Sequence, residues 1–135
     1  MDIISYENII TLLMLIVLQS VLGIDNLLYI EAIHSSDGEP FVIESRYINQ
    51  KVVTNLESKV FEENSPNEWL LANVPYTHGA ISFSATNCSA ENSTLLKINP
   101  SEAVFQIDRT TFDREQIITN VLLTYHKDYQ LQTSL

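Results

Sequence analysis

Three histidines are the first candidates for chemistry, because an imidazole can bind a metal or move a proton near neutral pH. His34, His78 and His126 lie far apart, and none has a partner at the short spacing that metal-binding pairs use. They therefore read as surface or loop residues. Gly23, Gly38 and Gly79 are too scattered to build a loop whose backbone N–H groups cradle phosphate. No Gly-X-Ser-X-Gly elbow and no Cys/His arrangement is present, so nucleophilic catalysis would rest on residue types alone. No catalytic residue and no cofactor is assigned, and the chain reads as a binding or structural protein rather than an enzyme. The carboxylates Glu57, Glu62, Glu63 and Glu68 could attract calcium, but they lack the alternating ligands and turn glycine of an EF-hand loop and read as a solvated face. Asp108-Arg109 could form a local ion pair or fix a turn, and Trp69 and Tyr76 serve a binding surface or a small core equally well.

The 135 residues carry 7 basic and 17 acidic side chains, a net charge of -10. Most of such a surface repels phosphate backbones and anionic lipid, so nucleic acid is not expected as a partner. The one cysteine, Cys88, cannot form an internal disulfide and reads as a small, partly buried residue. Asn87-Cys88-Ser89 and Asn92-Ser93-Thr94 match the glycosylation acceptor pattern, which matters only in a eukaryotic secretory compartment.

The element with the strongest pattern is N-terminal. From Ile9 to Ile24 the chain is apolar except at Thr11, Gln19, Ser20 and Gly23, and Asp25 to Ile33 can extend a helix to the roughly 20 residues that span a bilayer. A transmembrane helix over 9–33 is the favoured reading. Asp25 would then sit at membrane depth at a cost of about 2.5 to 3.5 kcal/mol, and would need protein or water to face. A signal peptide cleaved near Gly23 is the alternative, although residues 1–8 hold Asp2 and Glu7 and no Lys or Arg. A buried core helix is the third possibility.

The stretch Leu12 to Ala32, LLMLIVLQSVLGIDNLLYIEA, resembles the first transmembrane helix of the TerC family of integral membrane proteins. That resemblance implies metal-ion handling or tellurium resistance, with Asp25-Asn26 as the family's intramembrane Asp-Asn pair. A carboxylate beside a carboxamide can offer oxygen ligands to a hard divalent cation, so Asp25 and Asn26 are the candidate metal residues. The upstream Glu of many family members is replaced here by Gln19 or Ser20. No later window approaches the length of a second span, so the helix would need partner helices from elsewhere, or the chain would be a truncated or fused fragment of a transporter.

Residues 34–40, HSSDGEP, read as a polar linker. Beyond it, short apolar runs alternate with turn signals. They cover Phe41 to Ile43, Tyr47 to Val53, Trp69 to Val74, Ala80 to Ala85, Thr94 to Ile98 and Ala103 to Ile107. Ile117, Ile118, Val121, Leu122 and Tyr125 follow helical spacing, giving a C-terminal helix from about Asp113 to His126, with a final strand held open by the β-branched content. The segment Asn92 to Phe112, ending near Asp108-Arg109, loosely resembles part of the C-terminal β-sandwich of invertase-type glycoside hydrolases, which implies a sandwich and no activity and makes a truncated or fused glycosidase fragment a further alternative. The expected fold class is α+β, with residues 1–8 as a tail, 9–33 as a membrane or signal-like helix, 34–40 as a linker and 41–135 as a β-rich, sandwich-like domain. The expected setting is a single-pass membrane protein, with a secreted domain as the alternative.

Overall fold

In a computed structural model the described residues are 2–3, 26–54, 56, 61 and 64–135. They form strands β1 (Asp2–Ile3), β2 (Leu27–Ser36), β3 (Glu39–Asn49), β4 (His78–Asn87), β5 (Ala103–Asp113) and β6 (Gln116–Tyr125), with helices α1 (Pro66–Asn73) and α2 (Ala90–Leu96). The strands make one sheet in the order β1-β2-β3-β6-β5-β4, and every neighbouring pair is antiparallel.

Register defines the two faces, since directly opposed residues project to the same side. One row runs Ile30, Arg46, Val121, Arg109 and Ile81 across five strands, and the next runs Ala32, Glu44, Leu123, Ile107 and Phe83. Residues of these rows form the first face. The other face carries Tyr29, Tyr47, Asn120 and Thr110, followed by Glu31, Ser45, Leu122, Asp108 and Ser82. Toward one end of the first face, Ile30, Ile48 and Ile118 cluster with Leu70 of α1 and with Phe61 and Val53. On the second face Ile43 and Val104 cluster with Cys88 and with Leu96 of α2. The sheet is thus the middle layer between two helices.

This architecture overturns the expected one. Residues 27–33, assigned to a membrane helix, belong to β2, and no helix among the described residues is long and apolar enough to cross a membrane. The physical reason is that β2 is covered on both sides: Leu28 and Ile30 face one cluster and Ile33 the other, so alternation collapses into an apolar run broken only by Glu31. The rest of that assignment, 9–25, lies outside the described residues. The stretch 34–40 runs through the end of β2 and a tight turn into β3. Asp37 and Gly38 occupy that turn with φ of 52° and 80°, the paired positive angles of a two-residue hairpin.

The second layer is helical, not a second sheet, so the sandwich is also replaced. Trp69 to Val74, expected as a strand, lies almost wholly in α1, which starts at Pro66 where a missing N–H costs nothing. Thr94 to Ile98 overlaps α2, whose first turn is capped by the Ser89 side chain accepting from the Asn92 N–H at 3.1 Å. The helix expected over about 113–126 is β6, an interior strand whose β-branched side chains pack against β3 and β5.

Candidate functional site

The buried polar groups of the first face converge at Glu44 and Arg46, two positions apart on β3 and therefore on one side. Arg46 is 1% exposed and Glu44 3%. Arg46 Nε donates to Glu44 Oε2 at 2.6 Å, and Nη1 donates to Thr119 Oγ1 at 3.2 Å; Thr119 in turn donates to the Tyr47 carbonyl at 2.7 Å. From β2, His34 Nε2 donates to the second carboxylate oxygen of Glu44 at 2.8 Å. Burial alone would push the Glu44 carboxyl up, but the His34 hydrogen bond and the Arg46 charge outweigh it and hold it below the usual carboxylate value. Burial draws the Arg46 pKa down, and Glu44 opposes that shift, while Arg109 adds like charge. The guanidinium remains a cation at neutral pH.

Arg109 sits in the same row as Arg46, on the far side of Val121. Two strand spacings separate their backbones, about 9 to 10 Å. Arg109 Nη2 donates to Asn67 Oδ1 at 2.6 Å, tying the first turn of α1 to the sheet. Between helix and sheet lies a cavity of about 20 Å³, bounded by Arg46, Thr111 and Thr119 below and by Asn67, Leu70 and Tyr76 above. It has room for little more than a water. Arg46 lines this helix-covered space, and Arg109 touches its lining residue Asn67, which gives the region local positive charge in a chain of charge -10. A wider open cleft of about 490 Å³ lies near Phe41, His126 and Tyr129, but its carboxylates Glu39 and Asp128 are solvated and none of its lining residues is a buried charge. On the second face, a cavity of about 60 Å³ is lined by Asn92, Gln106 and Thr124, with Cys88 at its wall.

The sequence matches the family model of the UTRA domain over residues 18–130. The chain belongs to the UTRA domain family. Solved structures agree with this UTRA fold. The C-terminal domain of the histidine utilization repressor from Pseudomonas syringae pv. tomato has 22% identity and a TM-score of 0.70, with 81% of this chain and 78% of that one covered. The effector binding domain of the B. subtilis trehalose repressor has 15% identity and a TM-score of 0.74, covering 99% and 91%. The ligand-binding domain of a GntR-family transcriptional regulator from Bordetella bronchiseptica has 20% identity and a TM-score of 0.69, covering 81% and 73%. No curated protein sequence matches the chain.

The UTRA assignment corrects several expectations together. The TerC and invertase-type resemblances do not survive, because the family match covers most of the chain and the solved UTRA-like structures cover 81% and 99% of it. With them go the membrane anchor, the partner helices, the single-pass setting and the secreted sandwich, together with the transporter and glycosidase fragment readings. The exclusion of nucleic acid is also withdrawn, since solved relatives of this UTRA domain are parts of transcriptional regulators.

Of the candidate metal residues, Asp25 lies outside the described residues, and the Asn26 carbonyl accepts from the Gln50 N–H at 2.8 Å beside β2. Among the described residues no cluster of His, Cys, Asp and Glu could hold a metal ion. Asn87 is exposed at the end of β4, whereas Asn92 is 6% exposed in the first turn of α2. Asp108 and Arg109 are not a local pair: as neighbours on a strand they project oppositely, and Asp108 accepts from Asn120 Nδ2 at 2.8 Å on the second face. Glu68 is exposed, and Glu57, Glu62 and Glu63 lie outside the described residues. Trp69 packs edge-on against Phe61 at 5.8 Å, which makes it a core residue; Tyr76 stays exposed at the cavity rim. Cys88 is buried, and burial together with Glu102 pushes its thiol pKa up, away from reactivity. The Glu44–Arg46 pair was missed. Its signal was opposite charges at i and i+2 within an apolar strand, a spacing that buries both on one face.

Proposed function

We propose that this chain is the effector-binding module of a GntR-type transcriptional regulator, and that its effector carries a carboxylate or phosphate group. The reading is carried by the buried Arg46, which lines a helix-covered space on the first face of the sheet, with Arg109 bonded to the lining residue Asn67. Support comes from the family, whose solved relatives include domains described as ligand-binding and effector-binding. A buried guanidinium offers a planar fork of donors matched to such an anion, and Glu44 holds that fork in place. Because the space is only about 20 Å³, an effector must displace α1, and the Arg109–Asn67 bond is the polar tie that it breaks. Binding is thereby converted into a movement of α1, which a DNA-contacting part of such a regulator can read. The acidic surface of this module leaves DNA contact to that other part.

The experiment is calorimetric titration of the chain with a panel of small carboxylates, sugar phosphates and their neutral analogues. An anionic ligand should bind, its neutral analogue should bind at least about tenfold more weakly, and Arg109→Gln should reduce affinity by a similar factor. Tight binding of a neutral compound that Arg109→Gln leaves unchanged would overturn the assignment.

A further inference from the structure

We propose that the cavity between α2 and the second face of the sheet is a binding site for a small uncharged amide, separate from the region around Arg46. The cavity measures about 60 Å³. Gln106 on β5 and Thr124 on β6 stand directly opposite each other in its lining, and α2 contributes Asn92. Asn87 and Ser89, both exposed, complete the polar part of the lining where the cavity meets solvent.

Three of these side chains are buried polar groups, with Asn92 6%, Gln106 4% and Thr124 3% exposed. Gln106 Nε2 donates to Thr124 Oγ1 at 3.0 Å, which leaves the Gln106 carbonyl oxygen and the Thr124 hydroxyl hydrogen unspent. Asn92 is the sharper case. Its backbone N–H is taken by Ser89 Oγ at 3.1 Å, but its carboxamide bonds to no group among the described residues. The next residue of α2 behaves differently: Ser93, 2% exposed, donates its hydroxyl to the Ala90 carbonyl at 2.7 Å. A buried carboxamide brings two donors and an acceptor, and interiors seldom leave such groups unmatched. The one at Asn92 lines the cavity, so its partner has to come from what enters there.

The lining also selects the chemistry. Among the described residues that line the cavity none is charged, so an ion entering it would lose its water without gaining a counter-charge. At about 10 to 15 Å³ for each water position, the space holds about four to six waters, or one ligand of about four heavy atoms. An amide carries a donor and an acceptor in one plane, as both carboxamides of the lining do. Its carbonyl can accept from Asn92 Nδ2 while its N–H donates to Gln106 Oε1. Val104, 3% exposed, and the buried Cys88, a small apolar residue here, form the wall that takes a methyl group. Such a ligand joins Asn92 of α2 to Gln106 of β5 and fastens the helix to the sheet.

The test is an NMR titration of the chain with acetamide, followed at the backbone amides of Cys88, Asn92, Gln106 and Thr124. About four heavy atoms limit affinity to tens of micromolar at best, so saturation with a Kd between about 0.1 and 10 mM is expected. Acetate, which has the same shape and a charge, should bind at least about tenfold more weakly. Asn92→Leu and Gln106→Met, each with a native circular dichroism spectrum, should weaken acetamide at least about tenfold. Arg109→Gln should leave the acetamide titration unchanged, which separates this site from the anion assignment. Shifts that stay linear to about 100 mM, the result for a cavity that takes only water, overturn the proposal. So does acetate binding as well as acetamide, a comparison on the wild type that needs no variant, or a folded Asn92→Leu that binds like wild type.

Discussion

Glu44 and Arg46 show how one pair of side chains can matter to both stability and recognition. The folded state lowers the Glu44 pKa below its ordinary value of 4.5, so its stabilising contribution is complete above that value and is lost as pH falls through the lower folded one. Urea midpoints should therefore decline as the solution is acidified from about pH 5 to about pH 3, and Glu44→Gln should flatten part of that decline. Removing only the cation is worse. Arg46→Met leaves a buried carboxylate with His34 as its remaining side-chain partner and should cost about 3 to 5 kcal/mol by urea denaturation, whereas Glu44→Gln combined with Arg46→Met should recover a large part of that loss. A double variant no more stable than Arg46→Met would show that the pair is not the unit of stability. At this scale little was legible in the sequence. His34 read as a surface residue because its partner, Glu44, comes close only when β2 and β3 fold back on each other. Arg109 looked like half of a local pair because its neighbour Asp108 is adjacent in sequence but on the opposite face.

Among the elements, the hairpin between β2 and β3 sets the register that brings His34 to Glu44. Gly38 has a φ of 80° and nothing within 4 Å of the place where a Cβ would go, so Gly38→Ala meets backbone strain and no clash. The variant should lose about 1 kcal/mol in thermal or urea melts. Ser89→Ala should lose a similar amount, about 1 kcal/mol, through the α2 cap. The turn and strand signals were partly legible: β4 was placed by its alternation, β5 by its apolar start, and the Asp-Gly pair stood in plain view although it was taken for a linker. β2 and β6 were not legible as strands. Both are covered by packing that an apolar count cannot distinguish from a helix, and in β6 the spacing of Ile117, Ile118, Val121 and Leu122 fits a helical turn as well as a bulged strand. The bulge opposite Thr111 and Phe112 is what blurs the two-residue period there.

For the whole molecule, the charge of this one domain was wrongly read as excluding nucleic acid from the partners of the protein that carries it. A net charge of -10 opposes the compact state through repulsion among its own carboxylates, and that repulsion is long-range and screened by salt. The urea midpoint should therefore rise as ionic strength increases from about 0.02 to 0.3 M, over which the screening length shrinks from roughly 20 Å to 6 Å. Stability carried mainly by surface ion pairs would fall over the same range. Urea melts across a salt series distinguish the two by the sign of the slope, and a midpoint that drops with salt would show that attraction between charges outweighs the net repulsion.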